Sequence, residues 1–126
     1  MRWQTIAGTI GFGGMGALAL ASPRSLAATV DLGMETEMSE NEVRAVYGGF
    51  GLAIAGSLLV EGVRNRPGAA HMMAAIALAG MASGRLFDVA VRKGEGELTR
   101  PLLYAAGESA FATALMSATR EPATED

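Results

Sequence analysis

Four stretches of this chain run for roughly a helix length with almost no charge, and the segments between them are crowded with charge, glycine and proline. The first covers residues 5–21, inside a gap of 21 residues between Arg2 and Arg24. That gap is about the length of helix that crosses a hydrocarbon layer of roughly 30 Å. The second is uncharged over 45–60, the third over 67–84, and the fourth over 101–119 apart from Glu108. The pattern predicts helices over about 3–22, 40–61, 67–90 and 100–119, a connecting loop at 23–39, and a frayed tail at 120–126. Short connections between long helices predict an all-α fold, an antiparallel four-helix transmembrane bundle forming a single membrane domain over 1–126, with both termini on the same side.

Local signals mark the ends of these helices. Pro23 lacks an N–H and restricts the residue before it, so it ends the first helix. Ser39 with Glu42 three residues later reads as a capping box for the second. Pro67 suits the first turn of the third, and Thr99 suits the cap of the fourth. In the 23–39 loop, residues 26–32 are expected to rest on the membrane surface.

Composition refines this picture. Mean hydropathy is +0.28, modest for a membrane protein, because 24 alanines and 17 glycines supply much of the apolar content while aromatic residues make up 6%. Small residues dominate where membrane helices approach backbone to backbone. Gly48 and Gly49 near the start of the second helix, and the GxxxG pair Gly80 and Gly84 in the third, mark the expected packing faces. The same faces suit self-association, so the partners expected are the lipid bilayer and a second copy of the chain.

The same letters admit other readings. A positive residue, an apolar core and Ala19-Leu20-Ala21 also describe a cleaved signal peptide, but three further apolar segments make this the first of a set. Gly11, Gly13 and Gly16 fit G-x-G-x-x-G with Asp31 twenty residues on, yet Pro23 cuts the helix short and no series of strands follows. No basic stripe suggests nucleic acid. There is no cysteine, and the eight methionines are dispersed, so no cofactor or metal site is expected. His71, at the start of the third helix, reads as interfacial. No nucleophile–base pair is visible, which argues against an enzyme.

Up-and-down connectivity brings the start of the second helix, the end of the third and the start of the fourth to one membrane face. Glu42, Arg44, Tyr47, Arg85, Asp88 and Glu108 then share one depth range. Glu108 lies eight residues beyond Arg100, about 12 Å along a helix. Side chains tilt toward the N-terminus of their helix, so Arg85 dips into the membrane while Glu108 leans out to meet it. Arg44 has Glu40 four residues before it, a favourable helical pair. The expected buried pair is Arg85–Glu108, with Arg44, Asp88 and Tyr47 around it. One reading makes this cluster structural, fixing helix register. The alternative makes it a binding or transport site for a small molecule, lipid headgroup, ion or proton, using Glu108 and Arg85.

Glu42-x-Arg44-Ala45-x-Tyr47-Gly48-Gly49, then Gly84-Arg85 with Asp88, then a lone glutamate in the last span, resembles the small four-helix membrane proteins grouped as domain of unknown function 4345. Ser22-Pro23 at the end of the first span also fits, and the resemblance covers nearly the whole chain. It implies a multi-pass integral membrane protein of the bacterial cytoplasmic membrane with no established activity, and it names no ligand.

Overall fold

A computed structural model of the protein describes residues 1–93 and 96–120. Most of the expected frayed tail lies outside the described residues. Those residues form five helices and no strand: α1 (Trp3–Ala21), α2 (Pro23–Thr29), α3 (Glu37–Val63), α4 (Ala69–Val91) and α5 (Thr99–Arg120). They fall into two compact units, Met1–Asn65 and Arg66–Asp126. Three helices, α1, α3 and α4, are long and apolar enough to cross a membrane. The expected fourth, α5, has 22 residues but is not among them, because Glu108 and its serines and threonines dilute its hydropathy.

In the first unit, α1 stops where Pro23 removes a donor. The Ser22 N–H closes the last turn on the Leu18 carbonyl at 2.7 Å, and Pro23 opens α2 at its first position. The segment expected to be a surface loop therefore contains a seven-residue helix. Its Leu26 and Ala27 are buried rather than resting outward; Leu26 joins Ala19 and Val43 in a small core flanked by Met15, Met34 and Tyr47. The chain leaves α2 through Asp31 and α3 through Asn65, both at positive φ (58° and 49°), a conformation these short polar side chains tolerate.

The start of α3 differs from the expected capping box. Thr36 is the cap: its side chain accepts the Ser39 N–H at 3.1 Å. Ser39 is thus the third residue of the helix and Glu42 lies inside it. With Thr36 as the cap, Glu37 and Glu40 lie in the first turn, where the helix dipole favours negative charge. Residues Arg44–Gly49 of α3 are wound as a π-helix. The Phe50 N–H bonds the Ala45 carbonyl, five residues back.

α1 and α3 pack antiparallel through their glycines. The buried positions of α3 are Val43, Gly48, Gly51, Ile54, Ala55, Leu58 and Gly62. Gly48, Gly51, Ala55, Leu58 and Gly62 recur at three or four residues; Val43 stands five before Gly48, and the π-turn takes up the extra residue. The facing seam of α1 is Thr5, Gly8, Phe12, Gly16 and Ala19. A Cβ on Gly16 would lie 2.9 Å from the Leu52 backbone nitrogen and 3.0 Å from the Gly48 carbonyl oxygen. One on Gly48 would meet Leu20 at 2.7 Å, and one on Gly62 would meet Thr5 at 2.7 Å.

In the second unit, α4 and α5 form an antiparallel hairpin joined by residues 92–98. Its seam is alanine-rich: Ala70, Ala74, Ala75, Leu78 and Ala82 from α4, and Ala105, Ala112, Leu115 and Ala118 from α5. His71 is fully buried rather than interfacial, because it falls in phase with that seam. At the start of α5 the Arg100 N–H is taken by the Glu97 carboxylate at 3.0 Å. Glu97, not Thr99, supplies the side-chain acceptor.

Close approach at Gly16 leaves no room for even a methyl group, since the obstacles are backbone atoms. Gly16→Ala is expected to cost roughly 1–3 kcal/mol from overpacking. Gly56→Ala, whose Cβ would meet nothing within 4 Å, should not destabilise. Thermal unfolding of both variants in detergent, followed by helical circular dichroism, checks the difference.

Candidate functional site

The second hairpin carries an ion pair on its own seam. Counting along α4, the buried row 71, 74, 78 and 82 leads next to Arg85. On α5, Glu108 lies between Ala105 and Ala112 of the facing row. The Arg85 Nε donates to both carboxylate oxygens of Glu108, at 3.0 Å each, and its Nη2 lies 2.9 Å from Oε1. This is the forked geometry that makes arginine–carboxylate pairs strong. The Glu108 side chain is only 12% exposed and that of Arg85 31%. Tyr104, one turn before Glu108, presents its ring to the guanidinium at 5.0 Å from the centroid, within the range of a cation–π contact. The small residues nearest the pair, Ala82 on α4 and Ala105 and Ala112 on α5, allow this approach.

The six residues expected to form one cluster divide between the two units. In the second, Asp88 does not join the Arg85–Glu108 pair; it binds Arg92 one turn further along α4. In the first, Arg44 donates to Glu40 at 3.4 Å and its Nε reaches the Leu20 carbonyl at 3.4 Å. That carbonyl belongs to the last turn of α1, where helix carbonyls lose their internal donors. The other Glu40 oxygen accepts from Arg24 Nε at 2.7 Å, so Glu40 ties α2 to α3. Glu42 is exposed, and Tyr47 is half-buried against the Ala19–Leu26–Val43 core.

The expected packing glycines also separate. Gly48 touches Leu20, whereas a Cβ on Gly49 would meet only the Arg44 carbonyl, at 4.0 Å, and on Gly80 or Gly84 would meet nothing within 4 Å. The other close contacts fall on Gly16, Gly51 and Gly62; of these, spacing marks only Gly51, four residues before Ala55, as a packing position. Tyr104 was missed as a partner of Arg85, although its position four residues before Glu108 places both on one helix face. Arg24 was missed because its partner lies 16 residues away.

The pair should behave as a unit. Glu108→Leu or Arg85→Met alone strands a partly buried charge and is expected to cost roughly 2–4 kcal/mol, somewhat under the range for fully buried pairs because Arg85 is partly exposed. The double variant Arg85→Met/Glu108→Leu should recover most of the loss. A double-mutant cycle of unfolding free energies in detergent measures the coupling, and additivity would show that the two groups do not interact.

The chain matches no curated protein and no solved structure. The family described as "Domain of unknown function (DUF4345)" matches residues 1–119, nearly the full length and including every residue of both sites above. The chain therefore belongs to the domain of unknown function 4345 family.

Proposed function

We propose that this protein is a non-enzymatic, multi-pass membrane protein in which α1, α3, α4 and α5 all span the bilayer as an antiparallel four-helix bundle, with the Arg85–Glu108 pair fixing the second hairpin inside the apolar layer. The observation that carries this reading is the pair itself. An isolated charge at the centre of a membrane helix costs roughly 2.5–3.5 kcal/mol on insertion scales, which is why α5 alone falls short as a span. Bonded through both oxygens to an arginine of the adjacent helix, Glu108 enters as half of a neutral pair, and the remainder of α5 is uncharged from 101 to 119.

The outward faces support the same reading. Ile6, Ile10, Phe50, Leu59, Val60, Ile76, Phe87 and Leu103 are all at least 44% exposed. Helices apolar both toward their partner and away from it are solvated by lipid or by further helices. Four spans put both termini on one side, and the location proposed, the bacterial cytoplasmic membrane, is the one the sequence resemblance implies. The fork between Arg85 and Glu108 favours a structural role over transport, since each group is already satisfied by the other.

Topology mapping tests the fourth span. The chain has no cysteine, so single cysteines report cleanly. In sealed vesicles, Asn65→Cys and a cysteine appended after Asp126 should react with an impermeant maleimide from the same side, and Leu98→Cys from the opposite one. If the appended cysteine shares the side of Leu98→Cys, α5 does not cross.

A further inference from the structure

A cleft of about 300 Å³ opens beside the π-turn of the first hairpin, with Leu32, Met34, Val43, Val46 and Tyr47 in its walls and Glu42 at its edge. That volume is at the small end of the range for ligand pockets, so an occupant of only a few heavy atoms fits. The cleft has a firm back wall, because Met34 and Tyr47 pack on the buried Ala19–Leu26–Val43 core. The i→i+5 winding of Arg44–Gly49 widens the helical turn, and Glu42, Val46 and Tyr47 all come to line the same opening.

Two polar groups in this lining are unspent. Among the described residues, neither the Glu42 carboxylate nor the Tyr47 hydroxyl has a hydrogen-bond or ion-pair partner. The nearest cations by sequence are committed elsewhere: Arg24 and Arg44 both bind Glu40. The segment that supplies most of the lining is acidic as well: residues 31–42 hold five acids and no base, of which Glu40 is taken by Arg24 and Arg44. A free carboxylate, an aromatic ring and a thioether on apolar walls select a positively charged nitrogen carrying a short apolar group. The ring attracts the cation through its quadrupole, and the carboxylate supplies the counter-charge. An anion would meet the wrong sign of field.

We propose that this cleft binds a small soluble organic ammonium compound, with its nitrogen between the Glu42 carboxylate and the Tyr47 ring and its alkyl part against Met34 and Val43. The site is separate from the Arg85–Glu108 pair and does not depend on the role assigned to that pair.

The experiment uses the full chain in non-ionic dodecyl maltoside micelles with 13C-methyl-labelled methionine, titrated with n-butylammonium; 1-butanol and butyrate serve as size-matched controls. The Met34 methyl resonance is expected to shift saturably with butylammonium and not with either control. Glu42→Gln should weaken the apparent affinity at least tenfold, whereas Glu35→Gln should leave it within about threefold, which separates the carboxylate from the general acidic field. Tyr47→Leu should also weaken binding; should that variant unfold, Tyr47→Phe, which keeps the ring, must bind as the parent does. Equal response to butanol, unchanged affinity in Glu42→Gln, or loss of binding in folded Tyr47→Phe would overturn the proposal. So would a Met34 shift produced by phosphatidylethanolamine in mixed micelles when butylammonium produces none, which would assign the cleft to lipid.

Discussion

A carboxylate held more than two turns inside an apolar helix must meet a cation or bear the full cost of its desolvation, and the second hairpin is built around that requirement. Glu108 has no base three or four residues away on its own helix. Its partner has to come from α4, and α4 has to be near. The alanines on both sides of the seam bring the two backbones close enough for the fork of Arg85 to close on both oxygens. Tyr104 then occupies the remaining face of the guanidinium. Removing the pair's apolar surroundings would weaken it by restoring solvent; widening the seam would break it by geometry. Packing and charge are one device here.

The first hairpin meets a different constraint with different means. Along its α1–α3 contact, backbone approaches backbone at Gly16, Gly48 and Gly51, and Gly62 receives the Thr5 side chain. Such contacts require that the glycines of both helices stay in phase over many turns. A plain α-helix drifts out of phase where Val43 and Gly48 stand five apart, and the π-turn removes that drift. The same turn carries Tyr47 and Arg44, so the residue that corrects the register also shapes the cleft and the Glu40 clamp.

Much of this was legible in the sequence, and the failures have physical causes. Pro23, the uncharged runs and the Arg85–Glu108 pairing followed from rules that need only spacing and depth. The capping of α3 did not, because Thr36 and Ser39 each precede a suitable helix start by the same chemistry, and each would place two acids in the first turn. The helix α2 was hidden because seven residues are too few for a periodic signal; its burial depends on Ala19 and Val43, distant in sequence. Gly80 and Gly84 carry the familiar spacing yet lie off the α4–α5 seam, while Gly16, Gly51 and Gly62, lacking that spacing as a set, make the close contacts. A glycine motif states that a close approach is permitted. It does not state where the partner lies.

The division of the expected charged cluster follows one rule. Charges with an opposite charge four residues away on the same helix take it: Arg44 takes Glu40, and Asp88 takes Arg92. Asp88 is also three residues from Arg85, so Arg85 had a local option. It takes the cross-helix partner because Glu108 has none of its own, and leaving that carboxylate unpaired inside the seam costs more than leaving Asp88 to a neighbour at the helix end, where water is at hand. Local pairs at the ends of helices are interchangeable and screened. The pair that has no local alternative is the one that can fix the geometry of a hairpin, and a reader of such sequences does best to look first for the charge that its own helix cannot satisfy.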